Sequence, residues 1–217
     1  VIGAVNRAAG PRDVLVGAAG GLPGELHKLW RARDPRGYHM EYGYSCMGYE
    51  IAGGLGVKMA LPDREVFVMV GDGSYLMMNS EIATSVMLGR KLVVTVLDNR
   101  GYGCINRLQQ ACGGAPFNNL LDTIPGGEGV AVDFAAHARS LGAIAETVDD
   151  IAGLEQALER AKAQDRTTVI VIRTDPDATT GDGGAWWDVA VPEVSERAAV
   201  REARARYDDA RKNQRQG

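Results

Sequence analysis

The sequence is short of the features that announce several common functions. Cysteine occurs three times in 217 residues, at Cys46, Cys104 and Cys112. An odd number with no metal-ligand spacing reads as a chain from a reducing compartment, the cytoplasm. Histidine is as scarce (His27, His39 and His137), and no Ser/His/Asp or Cys/His arrangement can be argued from the pattern. His27 and His137 read as packing residues. His39 sits among tyrosines, where a substrate contact and an ordinary loop histidine are both open readings. No apolar run exceeds the length of a strand, so nothing is expected to cross a membrane as a helix, and no secretory leader is visible. Neither sign of charge dominates: 24 Lys and Arg against 28 Asp and Glu leave a formal net charge of −4. That excludes the basic field of a general nucleic-acid or anionic-membrane binder.

What is present is apolar material, 45% of the residues, enough for the core of one large α/β domain. Val1 falls inside a helical pattern, so the chain reads as part of something longer. Its organising stretch is residues 66–103. Residues 66–70 (VFVMV) and 92–97 (LVVTVL) are unbroken, largely β-branched runs, the pattern of strands buried on both faces. Between them lie Gly71-Asp72-Gly73-Ser74 and a helical pattern over 79–88; after them comes Asp98-Asn99-Arg100-Gly101. This predicts one βαβ unit whose two polar turns sit at the carboxyl ends of its strands, the edge where open parallel sheets bind ligands. The Asp72 carboxylate and the Asn99 amide oxygen then face the same place. Oxygen ligands of this kind suit Mg²⁺, which keeps phosphate oxygens in its remaining positions. Gly71 and Gly73 let backbone N–H groups come close to a phosphate, and the following helix would aim its positive end there. A lone Gly-Asp-Gly is more often a plain βα turn; the second strand with its Asn-containing turn is what favours a bound diphosphate. A second copy, Gly181-Asp182-Gly183, is followed only by a charged helical run and reads as coincidence.

Gly71-Asp72-Gly73, then 24 residues, then Asp98-Asn99 resembles the thiamine-diphosphate motif of the transketolase/acetolactate-synthase superfamily. That family carries two asparagines at the second turn; the first is Asp98 here, and the metal-binding second survives as Asn99. The resemblance implies Mg²⁺ held by Asp72, Asn99 and the backbone carbonyl of Gly101, with Gly71, Gly73 and Ser74 also against the cofactor. It implies further that the turn Gly20-Gly21-Leu22 touches the diphosphate. In DPRGYHMEYGYSCMGY (34–49), the backbone of Ser45 and Met47 would hold the aminopyrimidine. Met47 would wedge beneath the cofactor and bend it; ordinary core packing is the commoner role for a methionine.

The rest of the chain predicts strands over 13–19, 143–148 and 167–173, five in all, and helices over 24–31, 48–59, 102–112, 133–141, 150–163 and 196–215. Strands alternating with helices indicate a doubly wound, mostly parallel sheet with helices on both faces. The glycine-rich helix 48–59 leaves a bare surface at Gly53, Gly54 and Gly56 that another backbone could approach. Residues 1–175 read as the diphosphate-binding domain, and 176–217 as an extension with the Trp186-Trp187 pair and a charged helix.

Four segments, LHKLWRARDPRGYHMEYGYSCMGYEIAGGLG, LDNRGYGCINRLQ, GGAPFNN and GAWWDV, resemble a hydrolase branch of the superfamily that opens a small cyclic dione. The resemblance implies that substrate, a separate pyrimidine-binding domain supplying the activating glutamate, and a homodimer or homotetramer. A carboligase or lyase of the acetolactate-synthase kind, and a non-catalytic assembly domain, are the alternatives.

Overall fold

The computed structural model describes residues 1–127, 129–181 and 189–214. Its elements run α1 (Ile2–Ala8), β1 (Val14–Gly17), α2 (Gly21–Leu29), β2 (Tyr38–Met40), α3 (Tyr49–Ala60), β3 (Val66–Gly71), α4 (Asp72–Met77), α5 (Glu81–Met87) and β4 (Val93–Asp98). There follow α6 (Gly103–Ala111), a 3₁₀ turn (Leu121–Thr123), α7 (Phe134–Ser140), β5 (Ile144–Val148), α8 (Ile151–Ala163), β6 (Thr168–Arg173) and α9 (Ala198–Lys212). The Trp186-Trp187 pair, and all but the first residue of the second Gly-Asp-Gly, lie outside the described residues.

The six strands form one sheet in the order β2-β1-β3-β4-β6-β5, and every described pairing is parallel. Side chains alternate between its two faces, as the pleat requires. Val66, Val68, Val70, Val94 and Val96 join α3, Tyr75, Ile82 and α7 on one side. Phe67, Met69, Val93, Ile170 and Ile172 join α1, α2 and α8 on the other. The doubly wound reading therefore holds, with helices on both faces. The direction of winding reverses between β1 and β3, which places a crevice at the carboxyl ends of those two strands.

Several expected boundaries need correction. The sheet has six strands, not five, because residues 38–40 inside the Tyr-rich stretch form an edge strand beside β1. All three of its residues are half-buried, so no apolar run marks it. Helix α2 begins at Gly21 rather than at 24, which puts Pro23 in the third position of the first turn, where a proline costs no intrahelical bond. The helix expected over 79–88 forms as α5, over 81–87, and a further short helix lies before it, in the stretch expected as turn. Helix α4 starts at Asp72 itself and stops at Met78; α5 follows. The pin is Tyr75, fully buried, whose ring packs edge-on to Phe134 and whose hydroxyl meets His137 Nδ1 at 2.9 Å. The bare surface of α3 is turned on its own sheet, since a Cβ on Gly54 would stand 2.5 Å from Val68. Only Gly56 of the three glycines is exposed.

Helix α9 is mostly exposed; only Val200 and Ala203 are buried, and they pack with Val191, Cys112 and Tyr207. Arg197 ties the segment to the end of α6 by donating from Nε to the Gly113 carbonyl at 3.0 Å.

Candidate cofactor and metal site

The carboxyl ends of β1, β3, β4 and β6 open into a cavity of about 920 Å³. Gly20, Gly21, Leu22, Ser45, Met47, Gly71, Asp72, Gly73, Ser74, Asn99 and Gly101 all line it. Every candidate residue named from the sequence thus reaches one cavity, although they come from four separate turns.

Strand β3 delivers Asp72 to the cavity floor, 4% exposed. Its Oδ2 accepts the Gly101 N–H at 2.7 Å, which leaves Oδ1 turned inward. The Asn99 side-chain oxygen stands 3.1 Å from Asp72 Oδ1 and 2.8 Å from the Gly101 carbonyl. Three oxygens at that spacing repel one another unless something positive lies between them. Turned over, the Asn99 amide would donate to both of the others; a cation would satisfy all three at once. Oxygens coordinating Mg²⁺ at about 2.0–2.1 Å in an octahedron are about 3 Å from their neighbours, so the spacing fits that ion. Among the described residues no group of three or more His, Cys, Asp and Glu side chains could hold a metal. The donor set here is instead one carboxylate, one amide and one carbonyl.

Electrostatics agree with that reading. Burial is the largest influence on Asp72 and pushes its pKa up to about 6; the nearby Asp98 charge pushes the same way, and the backbone N–H groups of Gly101, Gly73 and Asn99 oppose both. An ionised Asp72 is therefore short of positive charge. Asp98, where the superfamily has asparagine, closes its own turn by accepting the Arg100 N–H on Oδ1 at 2.9 Å. This bond helps hold Arg100 at φ 62°, a left-handed conformation uncommon for a side chain of that size. Gly101, at φ 142°, has Asn119 where a Cβ would go, so that turn admits only glycine.

The phosphate cradle is equally specific. Nothing lies within 4 Å of the place a Cβ would take on Gly20 or Gly71; both backbones are open to the cavity. Gly20 has φ 89° and leads straight into α2, so the first N–H groups of that nine-residue helix face inward. Helix α4, with six residues, is too short for much of a dipole. The positive end expected after Ser74 is thus supplied chiefly by α2.

Ser45 and Met47 lie on the loop before α3. The Glu41 carboxylate accepts the N–H groups of Tyr44 (3.2 Å) and Cys46 (2.7 Å). The Cys46 N–H is the main reason its pKa lies below the usual carboxylate value. That grip turns Ser45 into a left-handed conformation, φ 52°. Met47 is half-buried and lines the cavity, while His39 at the loop's start is taken by the Tyr49 hydroxyl at 2.6 Å. His27 Nδ1 meets Tyr38 Oη at 3.0 Å.

Two groups at the site carried no readable signal in the sequence. Arg107 of α6 reaches across to the Pro176 carbonyl and lies against Gly21; an arginine in a helix of mixed polarity looks like a surface residue. Glu50 is buried inside the rim of the cleft, where glutamate is rarely found.

Residues 18–172 match the family described as thiamine pyrophosphate enzyme, C-terminal TPP binding domain. The chain belongs to that family. Thiamine diphosphate (thiamine pyrophosphate, TPP) is accordingly its cofactor, and the open cradle at Gly20 and Gly71 fits a diphosphate. The chain is 45% identical over 209 residues to the 3D-(3,5/4)-trihydroxycyclohexane-1,2-dione hydrolase of Geobacillus thermodenitrificans, covering 94% of this chain and 33% of that protein. It is 44% identical over 200 residues to the hydrolase of the same name from Halalkalibacterium halodurans, covering 92% of this chain and 31% of the relative. It therefore spans about a third of the length of the curated relatives it matches. A solved TPP-dependent 4-hydroxybenzoylformate decarboxylase of Rhodococcus jostii superposes with a TM-score of 0.69 at 20% identity, over 79% of this chain and 31% of that one. At that identity the likeness bears on the fold alone.

Proposed function

We propose that this chain is the cofactor-binding part of an enzyme that hydrolyses 3D-(3,5/4)-trihydroxycyclohexane-1,2-dione, opening the ring to 5-deoxy-glucuronic acid in myo-inositol catabolism. The observation that carries this reading is the 44–45% identity over more than nine-tenths of the chain to hydrolases of that name. Bound thiamine diphosphate supplies a carbon nucleophile and an electron sink for breaking the bond between the two carbonyls.

The chain's own residues have distinct parts in this scheme. Asp72 Oδ1, Asn99 Oδ1 and the Gly101 carbonyl would hold Mg²⁺, whose charge would offset that of the diphosphate beside the buried Asp72. Gly20, Gly21 and Leu22 present N–H groups to the diphosphate, with Gly71, Gly73 and Ser74 closing the other side. The backbone of Ser45 and Met47 orients the aminopyrimidine, and the Met47 side chain props the ring system above it. The activating glutamate comes from a pyrimidine-binding domain elsewhere in the enzyme, across a homodimer or homotetramer interface. Glu41 is spent on its own loop and Glu50 on the cleft rim, so neither replaces it.

Among the described residues no helix is long and apolar enough to cross a membrane, and a cytoplasmic enzyme suits the unpaired cysteines. The test is to supply the full-length enzyme with Mg²⁺, thiamine diphosphate and either the cyclic dione or pyruvate, and to identify products by mass spectrometry. Release of 5-deoxy-glucuronic acid is expected. Acetolactate from pyruvate, with the dione untouched, would replace this reading with a carboligase.

A further inference from the structure

Glu50 is the second residue of α3 and is 1% exposed. A buried carboxylate is costly unless cations or donors meet both of its oxygens. Among the described residues it forms no ion pair; its partners are three donors from three separate segments. Oε1 accepts the Ala19 N–H at 3.2 Å, and Oε2 accepts the Gly48 N–H at 3.1 Å. The Ser74 hydroxyl lies 2.8 Å from each oxygen and itself accepts from Gly48 N–H at 2.8 Å.

These partners are buried, and each belongs to a segment of the cavity wall. Ala19 immediately precedes the Gly20-Gly21 turn, Gly48 immediately follows Met47, and Ser74 is two residues beyond Asp72. Helix α3 is already fixed to the sheet without them, through Ile51, Leu55 and the close approach of Gly54 to Val68. An apolar side chain at position 50 would serve the core as well and avoid burying a charge.

We infer that Glu50 is a positioning residue, a three-armed brace that sets the diphosphate cradle, the aminopyrimidine loop and the metal-bearing turn in register. The inference rests on the reading of the cavity as the thiamine-diphosphate site. Its role is alignment: the cofactor's two ends are gripped by different segments, and this carboxylate bonds to all three of them, with Ser74 Oγ adding a direct link to the Gly48 N–H. Replacing it should leave the anchors in place and let them drift relative to one another.

The experiment uses the full-length enzyme with Glu50→Gln and, separately, Ser74→Ala. Glutamine keeps the shape but turns one acceptor into a donor that faces N–H groups. Ser74→Ala removes one arm and leaves the carboxylate. For Glu50→Gln we expect a cofactor-free enzyme that stays folded at the assay temperature, its unfolding temperature lowered only modestly by the one N–H left without an acceptor. At saturating Mg²⁺ and thiamine diphosphate, kcat should fall by about tenfold to a hundredfold with little change in KM. The near-ultraviolet circular dichroism of the bound cofactor should change as well. Ser74→Ala should move the same two readouts by less. Parental kcat and dichroism in Glu50→Gln would overturn the brace. So would a drop in cofactor-free stability that accounts for the whole loss of turnover, which is the mark of a plain structural residue. A parent enzyme that binds no thiamine diphosphate would overturn the site itself, and the brace with it.

Discussion

Asp72 and Glu50 are both buried carboxylates beside one cleft, and they differ in what their oxygens face. Glu50 looks at three donors, so its charge is answered from within the fold. Asp72 has one oxygen on the Gly101 N–H and the other 3.1 Å from the Asn99 side-chain amide, which meets it either as an oxygen or, turned over, as a donor. Although the Gly73 and Asn99 backbone N–H groups also favour the charged form, burial above all pushes its pKa up to about 6. A carboxylate met by donors belongs to the scaffold. One that stays short of positive charge despite its donors, on the floor of a cavity, has its partner outside the polypeptide. Burial alone does not separate these roles; the chemistry of the neighbours does.

The contrast can be broken at several strengths. The largest effect is expected from leaving out the pyrimidine-binding domain: this 217-residue chain alone, with Mg²⁺, thiamine diphosphate and the dione, should give no turnover in a product assay. Activity should return when the pyrimidine-binding domain is added in trans. Turnover by the chain alone would mean that a carboxylate here replaces the missing glutamate. Next comes Asp72→Ala in the full-length enzyme, which should abolish retention of the cofactor through gel filtration. Asn99→Ala should act in the same direction and more weakly, since it removes a neutral ligand. Smaller again is Met47→Ala, expected to lower kcat by about tenfold through misalignment while cofactor affinity stays near the parent's. Met47→Leu, close to volume-conserving, should be tolerated better.

The smallest effect, and the one that sharpens the contrast most, is the pH dependence of Asp72. Its folded pKa, about 6, lies above the ordinary 3.8. Between those values the folded protein holds a proton that the unfolded chain has released. This group therefore makes cofactor-free stability fall as pH rises from about 4 to about 6, and has no further effect above that. Metal binding runs the other way, because Mg²⁺ competes with the proton. Affinity should be constant above about pH 6 and weaken by about tenfold per unit below it. Titrations at about pH 5 and about pH 7.5 would check this, and an affinity unchanged between them would contradict it.

How far the sequence could be read follows from the same physics. The β3–β4 unit was legible because strands buried on both faces leave unbroken apolar runs and abrupt polar stops. The eleven cavity residues were legible through that unit, and otherwise through family resemblance. Strand β2 was not, since Tyr38, His39 and Met40 are each half-buried at an edge and carry no period. Helix α4 was hidden because Tyr75, which anchors it, is held by distant Phe134 and His137. Glu50 carried no readable signal; its three donors come from positions 19, 48 and 74, which only the folded chain brings together.

The central claim is that Asp72, Asn99 and Gly101 form a cation site through which the diphosphate is held. Its most direct test is calorimetric titration of Mg²⁺ with thiamine diphosphate into the full-length parent and Asp72→Asn. Asparagine keeps the size of the side chain and can still accept the Gly101 N–H, but carries no charge. The account predicts that the variant, free of cofactor, unfolds at the parental temperature or above, and that its heat of cofactor binding disappears. Parental affinity in a folded Asp72→Asn enzyme would contradict it.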